Sequence, residues 1–202
     1  KVALPGPTQV VIDASNFFIA YWYVILGSIV GTIMGVKKYY ATVQGRKVID
    51  TLLLKLPVVG DLIRKASVAK FTRTLGTLLS SGVPILDGLT ICAKTSGNKV
   101  VEETLLNART SISGGKTIAD PLAASGVFPK MVTHMIAVGE STGALDAMLG
   151  KIADFYEEEV DQAVSSLTAL LEPAMMVFLG VVIGFIVIAM YLPIFKMASA
   201  IG

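Results

Sequence analysis

Phe17–Val36, FFIAYWYVILGSIVGTIMGV, and Pro173–Phe195, PAMMVFLGVVIGFIVIAMYLPIF, contain no charged residue, and the rest of the chain is read from the interval between them. At about 1.5 Å of rise per residue, either run as a helix is long enough to cross a hydrocarbon core of roughly 30 Å. The interval carries most of the charge and reads as a folded, water-facing domain. Composition agrees: 53% hydrophobic residues are too many for an ordinary soluble protein, and 202 residues leave room for one domain plus the spans. The sequence describes an integral membrane protein that presents a globular domain to one side.

Charge within the domain is polarised. Lys37, Lys38, Arg46, Lys47, Lys55, Arg64, Lys65, Lys70 and Arg73 face only Asp50 and Asp61, whereas Glu140, Asp146, Asp154, Glu157, Glu158, Glu159, Asp161 and Glu172 face only Lys151. The formal net charge of +2 therefore says nothing about nucleic acid, and the chain lacks the interleaved aromatic and basic residues of single-strand binders. The basic residues that follow Val36 place the domain in the cytoplasm and both chain ends outside. Phe17–Val36 is too long for a signal peptide and lacks a basic leader and a cleavage site. Lys1 in place of Met, followed by the extended-loop signal Leu4-Pro5-Gly6-Pro7, suggests a fragment of a longer chain.

Helical periodicity dominates the interval. Val68, Phe71, Leu75 and Leu78 form an apolar stripe that ends at Gly82, and Pro84–Thr95 is a shorter helix stopped by Gly97. Asn98 caps a third helix with the stripe Val101, Leu105, Ala108 and Ile112. A short piece from Thr117 to Ala124 is interrupted by Pro121, and a fifth helix starts at Pro129 with Val132, Met135 and Ile136 inward. A long sixth helix carries Leu145, Leu149, Ile152, Tyr156, Val160, Ala163, Leu167 and Leu170. No stretch sustains period-two alternation. The expected fold is all-α, an antiparallel bundle of about six helices whose last member runs unbroken into the second span.

Chemistry-bearing motifs are sparse. Ser113-Gly114-Gly115-Lys116-Thr117 imitates the end of a phosphate loop, but Thr110 stands where glycine is needed and the preceding residues are helical, so a helix-terminating turn is the better reading. His134 is the sole histidine, which leaves no His-based metal site or triad, and Cys92 reads as core. No cofactor is expected. Asp154, Glu157, Glu158, Glu159 and Asp161 form an acidic cluster with like charges at helical spacing, which needs solvent, a basic partner or a cation. Of these, Asp154, Glu157, Glu158 and Asp161, with Arg64, Lys65, Lys70 and Arg73, are candidate partner-docking residues. Gly27, Gly31 and Gly35, with Gly180 and Gly184 in the second span, are candidates for close helix packing. Glu172-Pro173 couples a carboxylate to a missing backbone donor where the last helix reaches the bilayer, a candidate joint.

The ordered motifs LPVVGDLIRKASVAKFTRTLGTLLSSGVPILDGL (Leu56–Leu89), Gly97-Asn98, FPKMVTHMIAVGESTGALDAMLGKIADFYEEEVD (Phe128–Asp161), LLEP (Leu170–Pro173) and YLPIFKM (Tyr191–Met197) resemble the inner-membrane platform family that includes PilC of type IV pili and the F protein of type II secretion. The resemblance is to the C-terminal half of a family with two cytoplasmic helical domains and three spans. It implies residues 1–16 as a periplasmic loop, 17–36 as a span, 37–55 as a cytoplasmic juxtamembrane segment, 56–172 as the helical domain, 173–195 as a span and 196–202 as a periplasmic tail. It implies a non-enzymatic role between a cytoplasmic ring ATPase and pilin or pseudopilin subunits. Other inner-membrane assembly proteins, membrane lipid and further copies of the chain complete the expected partners. A component of a small-solute transporter is the alternative; a polar group deep in a span would favour it, and only Ser28 and Thr32 qualify. A membrane enzyme lacks its nucleophile–base pair.

Overall fold

In the computed structural model, which describes residues 6–201, the helices are α1 Gly6–Tyr40, α2 Val43–Lys55, α3 Val59–Ser80, α4 Ile85–Thr95, α5 Lys99–Ser113, α6 Ala119–Ala124, α7 Lys130–Thr142 and α8 Leu145–Ile201. The all-α expectation holds, with two corrections. The loop expected over residues 1–16 is helical from Gly6 onward, while residues 1–5 lie outside the described residues. Proline in a first turn loses only an N–H that has no helical acceptor, so Pro7 starts the helix instead of barring it. The juxtamembrane segment contains α2, a helix additional to the six read from periodicity. Its start is set by Thr42, whose Oγ1 accepts from Gly45 N at 3.0 Å. Pro121 likewise sits in the first turn of α6 and does not interrupt it. As expected, α8 continues through Pro173 and Pro193 as one helix of 57 residues.

Residues 39–165 form one compact unit. Its core is a single cluster: Val68, Phe71 and Leu75 from α3, Leu89 and Cys92 from α4, Val101, Leu105 and Ala108 from α5, Leu122 from α6, Val132 and Ile136 from α7, and Leu149, Ile152 and Tyr156 from α8. Each fully buried aliphatic side chain contributes about 1.5–3 kcal/mol. The Phe71 and Phe128 rings meet edge to face at 5.3 Å. Glycines set the closest approaches: a Cβ on Gly139 would lie 3.0 Å from Leu145 Cα, and one on Gly76 would lie 3.3 Å from Leu149 Cβ. The α8 stripe leaves the core after Tyr156, and Leu170 is exposed.

Two carboxylates tie this unit together. Asp50 on α2 is only 2% exposed. It accepts from Lys99 N, the first amide of α5, at 2.6 Å, and from the Tyr40 hydroxyl at 3.1 Å. Asn98 Oδ1 accepts from Val100 N and Val101 N, so the orphan amides of the α5 N-terminus are met by two side chains. Glu140 on α7 takes Ile118 N on both of its oxygens, at 3.1 and 2.9 Å, and anchors the start of α6. The phosphate-loop mimic is a helix end: Gly114, Gly115 and Lys116 amides bond to Thr110, Ser111 and Ile112 carbonyls, with Gly115 at φ +80°.

The second unit comprises residues 1–38 and 166–202. Helices α1 and α8 are both long and apolar enough to cross a membrane. At 35 residues α1 measures about 50 Å, more than a hydrocarbon core requires, so its ends project beyond the apolar run. Thr8 Oγ1 donates to Ala189 O at 2.6 Å, and Ala189 is buried. Most of the large apolar side chains between Phe17 and Val36 and between Met175 and Tyr191 are exposed, as a lipid-facing surface requires.

Candidate functional site: the ion-paired face of α3 and α8

Basic residues on α3 and acidic residues on α8 meet on one face of the 39–165 unit. Arg73 grips Glu157 with both arms of its guanidinium: Nε donates to Oε1 at 2.8 Å and Nη2 to Oε2 at 2.6 Å. The same Nη2 reaches Asp154 Oδ1 at 2.5 Å. Further along, Lys65 Nζ lies 2.9 Å from Glu159 Oε2 and 3.2 Å from Asp61 Oδ2. Position 65 pairs with 159 and position 73 with 154 and 157, so α3 and this part of α8 run antiparallel. The periodicities place these charges above the Leu75, Leu149, Ile152 and Tyr156 packing, where apolar stripes hold the helices in register.

The protonation equilibria respond. Hydrogen bonds from Arg73 hold the Glu157 carboxyl below its ordinary value, and bonds to Glu159 and then Asp61 raise the Lys65 ammonium. Tyr156 is raised, first by burial and then by the nearby Glu159 charge. Exposed pairs are each worth about 0–1 kcal/mol, with a bidentate arginine at the favourable end. The face is therefore a clamp of modest strength.

The structure divides the docking candidates. Arg73, Lys65, Asp154 and Glu157 bind one another inside the chain, together with Asp61 and Glu159, which were not among the docking candidates. Lys70 and Asp161 instead line an open cavity of about 410 Å³ with Ala66, Ala69, Glu157 and Val160. Glu158 is exposed and accepts a 3.4 Å bond from Gln162. Arg64 is half-buried, with its Nε lacking an acceptor among the described residues. The acids hold lysine and arginine, and no group of three His, Cys, Asp or Glu among the described residues is placed to hold a metal ion. Cys92 is buried, and desolvation pushes its thiol up to about 11.

The membrane candidates stand apart. A Cβ at Gly27, Gly31, Gly35, Gly180 or Gly184 would meet nothing within 4 Å, so the glycines make no close contact within the chain. Thr32 Oγ1 donates to Ser28 O at 2.8 Å, so the hydroxyl is spent inside its own helix. Glu172 and Pro173 lie within unbroken α8, exposed.

Sequence reading passed over Asp50 and Glu140. Asp50 carried a signal: it is the lone acid of a basic segment and is bracketed by Val48-Ile49 and Leu52-Leu53-Leu54. Glu140 had none beyond its place after Gly139.

The chain is similar in sequence to known proteins. The family profile described as type II secretion system (T2SS), protein F, matches residues 71–193. The type IV pilus assembly protein PilC of Myxococcus xanthus is 54% identical over 198 residues, which is 98% of this chain and 48% of the relative. PilC of Thermus thermophilus is 50% identical over 200 residues, 98% of this chain and 49% of the relative. The type II secretion system protein F of Pseudomonas aeruginosa is 33% identical over 199 residues, 98% and 49% of the respective lengths. The chain spans about half the length of the curated relatives it matches. Because the profile takes in Arg73 with its partners Asp154 and Glu157, helices α4 to α7 and nearly all of the apolar stretch of α8, this chain belongs to the type II secretion system protein F family, inner-membrane platform proteins among which the pilus PilC proteins stand.

Proposed function

We propose that this chain is part of the inner-membrane platform of a type IV pilus machine, coupling a cytoplasmic assembly ATPase to the movement of pilin subunits. Higher identity to pilus proteins than to secretion proteins favours the pilus over pseudopilins. The observation that carries the coupling is α8: one helix holds the clamp acids Asp154, Glu157 and Glu159 near one end and the apolar span beyond Glu172. The unit of residues 39–165 faces the cytoplasm, as the basic residues after the first span favour. The role is non-enzymatic: the platform transmits motion and performs no bond chemistry. The Thr32 hydroxyl, one of the two polar groups that would favour transport of a small solute, is satisfied by its own helix.

Continuity of α8 is testable. A flexible Gly-Ser-Gly-Ser insertion after Ser166 is expected to abolish pilus assembly while the protein still inserts and co-purifies with the ATPase. Glu172→Gln and Pro173→Ala separate charge from joint at the same helix. Normal piliation with the insertion in place refutes mechanical coupling through α8. A reporter fused after Gly97 is expected to read as cytoplasmic, and a periplasmic reading overturns the orientation.

A further inference from the structure

Exposed apolar side chains of the 39–165 unit are densest in one place. On α4 to α7 they occur singly, as Ile91, Leu106, Met131 and Val138, and on its part of α8 as Phe155 and Val164. Along the segment of residues 43–59, Val43 at 72%, Val48 at 55%, Leu52 at 61%, Leu56, Val58 and Val59 are all exposed. Helix α2 thus carries an outward apolar stripe in addition to the half-buried Ile49 and Leu53. Asp50 and Gly45 are buried inside the unit, while Val48 and Leu52, one turn apart, face outward. Patches of this kind mark a surface that meets something other than water.

Its surroundings identify the occupant. Lys47 and Lys55 flank the stripe, and with Val48, Thr51 and Leu52 they line an open depression of about 440 Å³. Lys47 also pairs with Glu103 at 2.5 Å, at the side of the stripe. Asp50, the sole acid of residues 37–55, is buried and bonded inward, so the outward charge of the segment is basic. The segment is tethered: α2 begins three residues after α1 ends, and the end of α1 reads Lys37-Lys38-Tyr39-Tyr40, the basic and aromatic composition of a headgroup layer. Apolar residues flanked by lysines beside a span match a helix that lies in the bilayer surface, its stems among acyl chains and its ammonium groups among phosphates.

We infer that α2 is an interfacial helix that seats Val48 and Leu52 in the membrane surface and binds anionic lipid headgroups through Lys47 and Lys55. The seat is independent of which machine the chain serves; it requires only that α1 be membrane-inserted.

The test uses the whole chain in lipid nanodiscs, carrying a nitroxide at Leu52→Cys, at Ile29→Cys within the span, or at Ser141→Cys at the exposed end of α7. Native Cys92 is buried and stays unlabelled. Collision rates with oxygen and with a water-soluble nickel complex report depth. In phosphatidylglycerol-rich discs, the oxygen-to-nickel ratio at Leu52 is expected to exceed that at Ser141 severalfold. It is expected to fall toward the Ser141 value in pure phosphatidylcholine discs and in the Lys47→Glu, Lys55→Glu variant. A Leu52 label as nickel-accessible as Ser141 overturns the proposal, as does one shielded from both reagents, which is what a second copy or another protein seated on α2 would produce. A ratio that is high but indifferent to lipid charge refutes the lysine contacts. An aqueous reading at Ile29 refutes membrane insertion itself and the proposal with it.

Discussion

Asp50→Ala removes a buried charge whose bonds join α2 to the start of α5, and its cost is calculable from the contacts. The 2.6 Å bond from Lys99 N is charge-assisted and worth about 1.5–3 kcal/mol, and the longer Tyr40 bond about 1 kcal/mol. Alanine also strands the Lys99 amide at a helix N-terminus, where an unmet donor costs about 1–3 kcal/mol. Against this, the carboxylate no longer has to be held out of water. The net expectation is a loss of about 3 kcal/mol for Asp50→Ala, and about half that for Asp50→Asn, which keeps one oxygen for Lys99. For a domain of this size about 4 °C of melting temperature accompanies each kcal/mol, so the two variants should fall by about 12 °C and about 6 °C. Circular dichroism of the detergent-solubilised protein reads the melt, and hydrogen exchange at Lys99, Val100 and Val101 reads the local opening of α5. Tyr40→Phe should lose only about 1 kcal/mol. A melting temperature for Asp50→Ala within about 2 °C of the parent, or unchanged exchange at the α5 N-terminus, would refute the claim that this carboxylate holds the helices together.

Other expectations follow from single observations. Glu157 has its pKa lowered by Arg73, so the pair stabilises above the ordinary carboxyl value of 4.5 and loses its effect as pH falls through the lower folded value; Arg73→Ala should destabilise at pH 7 and merge with the parent in acid unfolding titrations. Val58 sits at φ +68° in a tight turn closed by Val59 N to Pro57 O at 2.8 Å, so Val58→Gly should raise stability by about 1 kcal/mol in denaturant titration. Gly139→Val should cost about 1–3 kcal/mol by driving a side chain into Leu145 and Met148, whereas Gly31→Leu should leave the melt unchanged because nothing lies within 4 Å. If the Gly27, Gly31 and Gly35 face meets another copy, Gly31→Leu will still lower the oligomer mass seen by light scattering, and an unchanged mass assigns that face to lipid.

What the sequence determined by itself were the features that depend on local spacing. Two uncharged runs declare helices that bury themselves in lipid, and a stripe such as Val68, Phe71, Leu75 declares a helix with one buried face, because the rise and turn of the helix are the same in any context. Asn98 and Gly82 marked helix ends through their own side-chain or backbone chemistry. Helix α2 escaped that reading because its outward face is apolar too, which blurs the single-stripe pattern. Only the tertiary structure decided how charges are used. The basic α3 and the acidic α8 look like two free patches in sequence, and folding turns Arg73, Lys65, Asp154, Glu157 and Glu159 into internal partners. The fate of Asp50 was equally unreadable, since its acceptor role depends on an amide 49 positions away brought within 2.6 Å. Periodicity reports which side of a helix is apolar; what stands opposite a charge is settled by packing between helices distant in the chain.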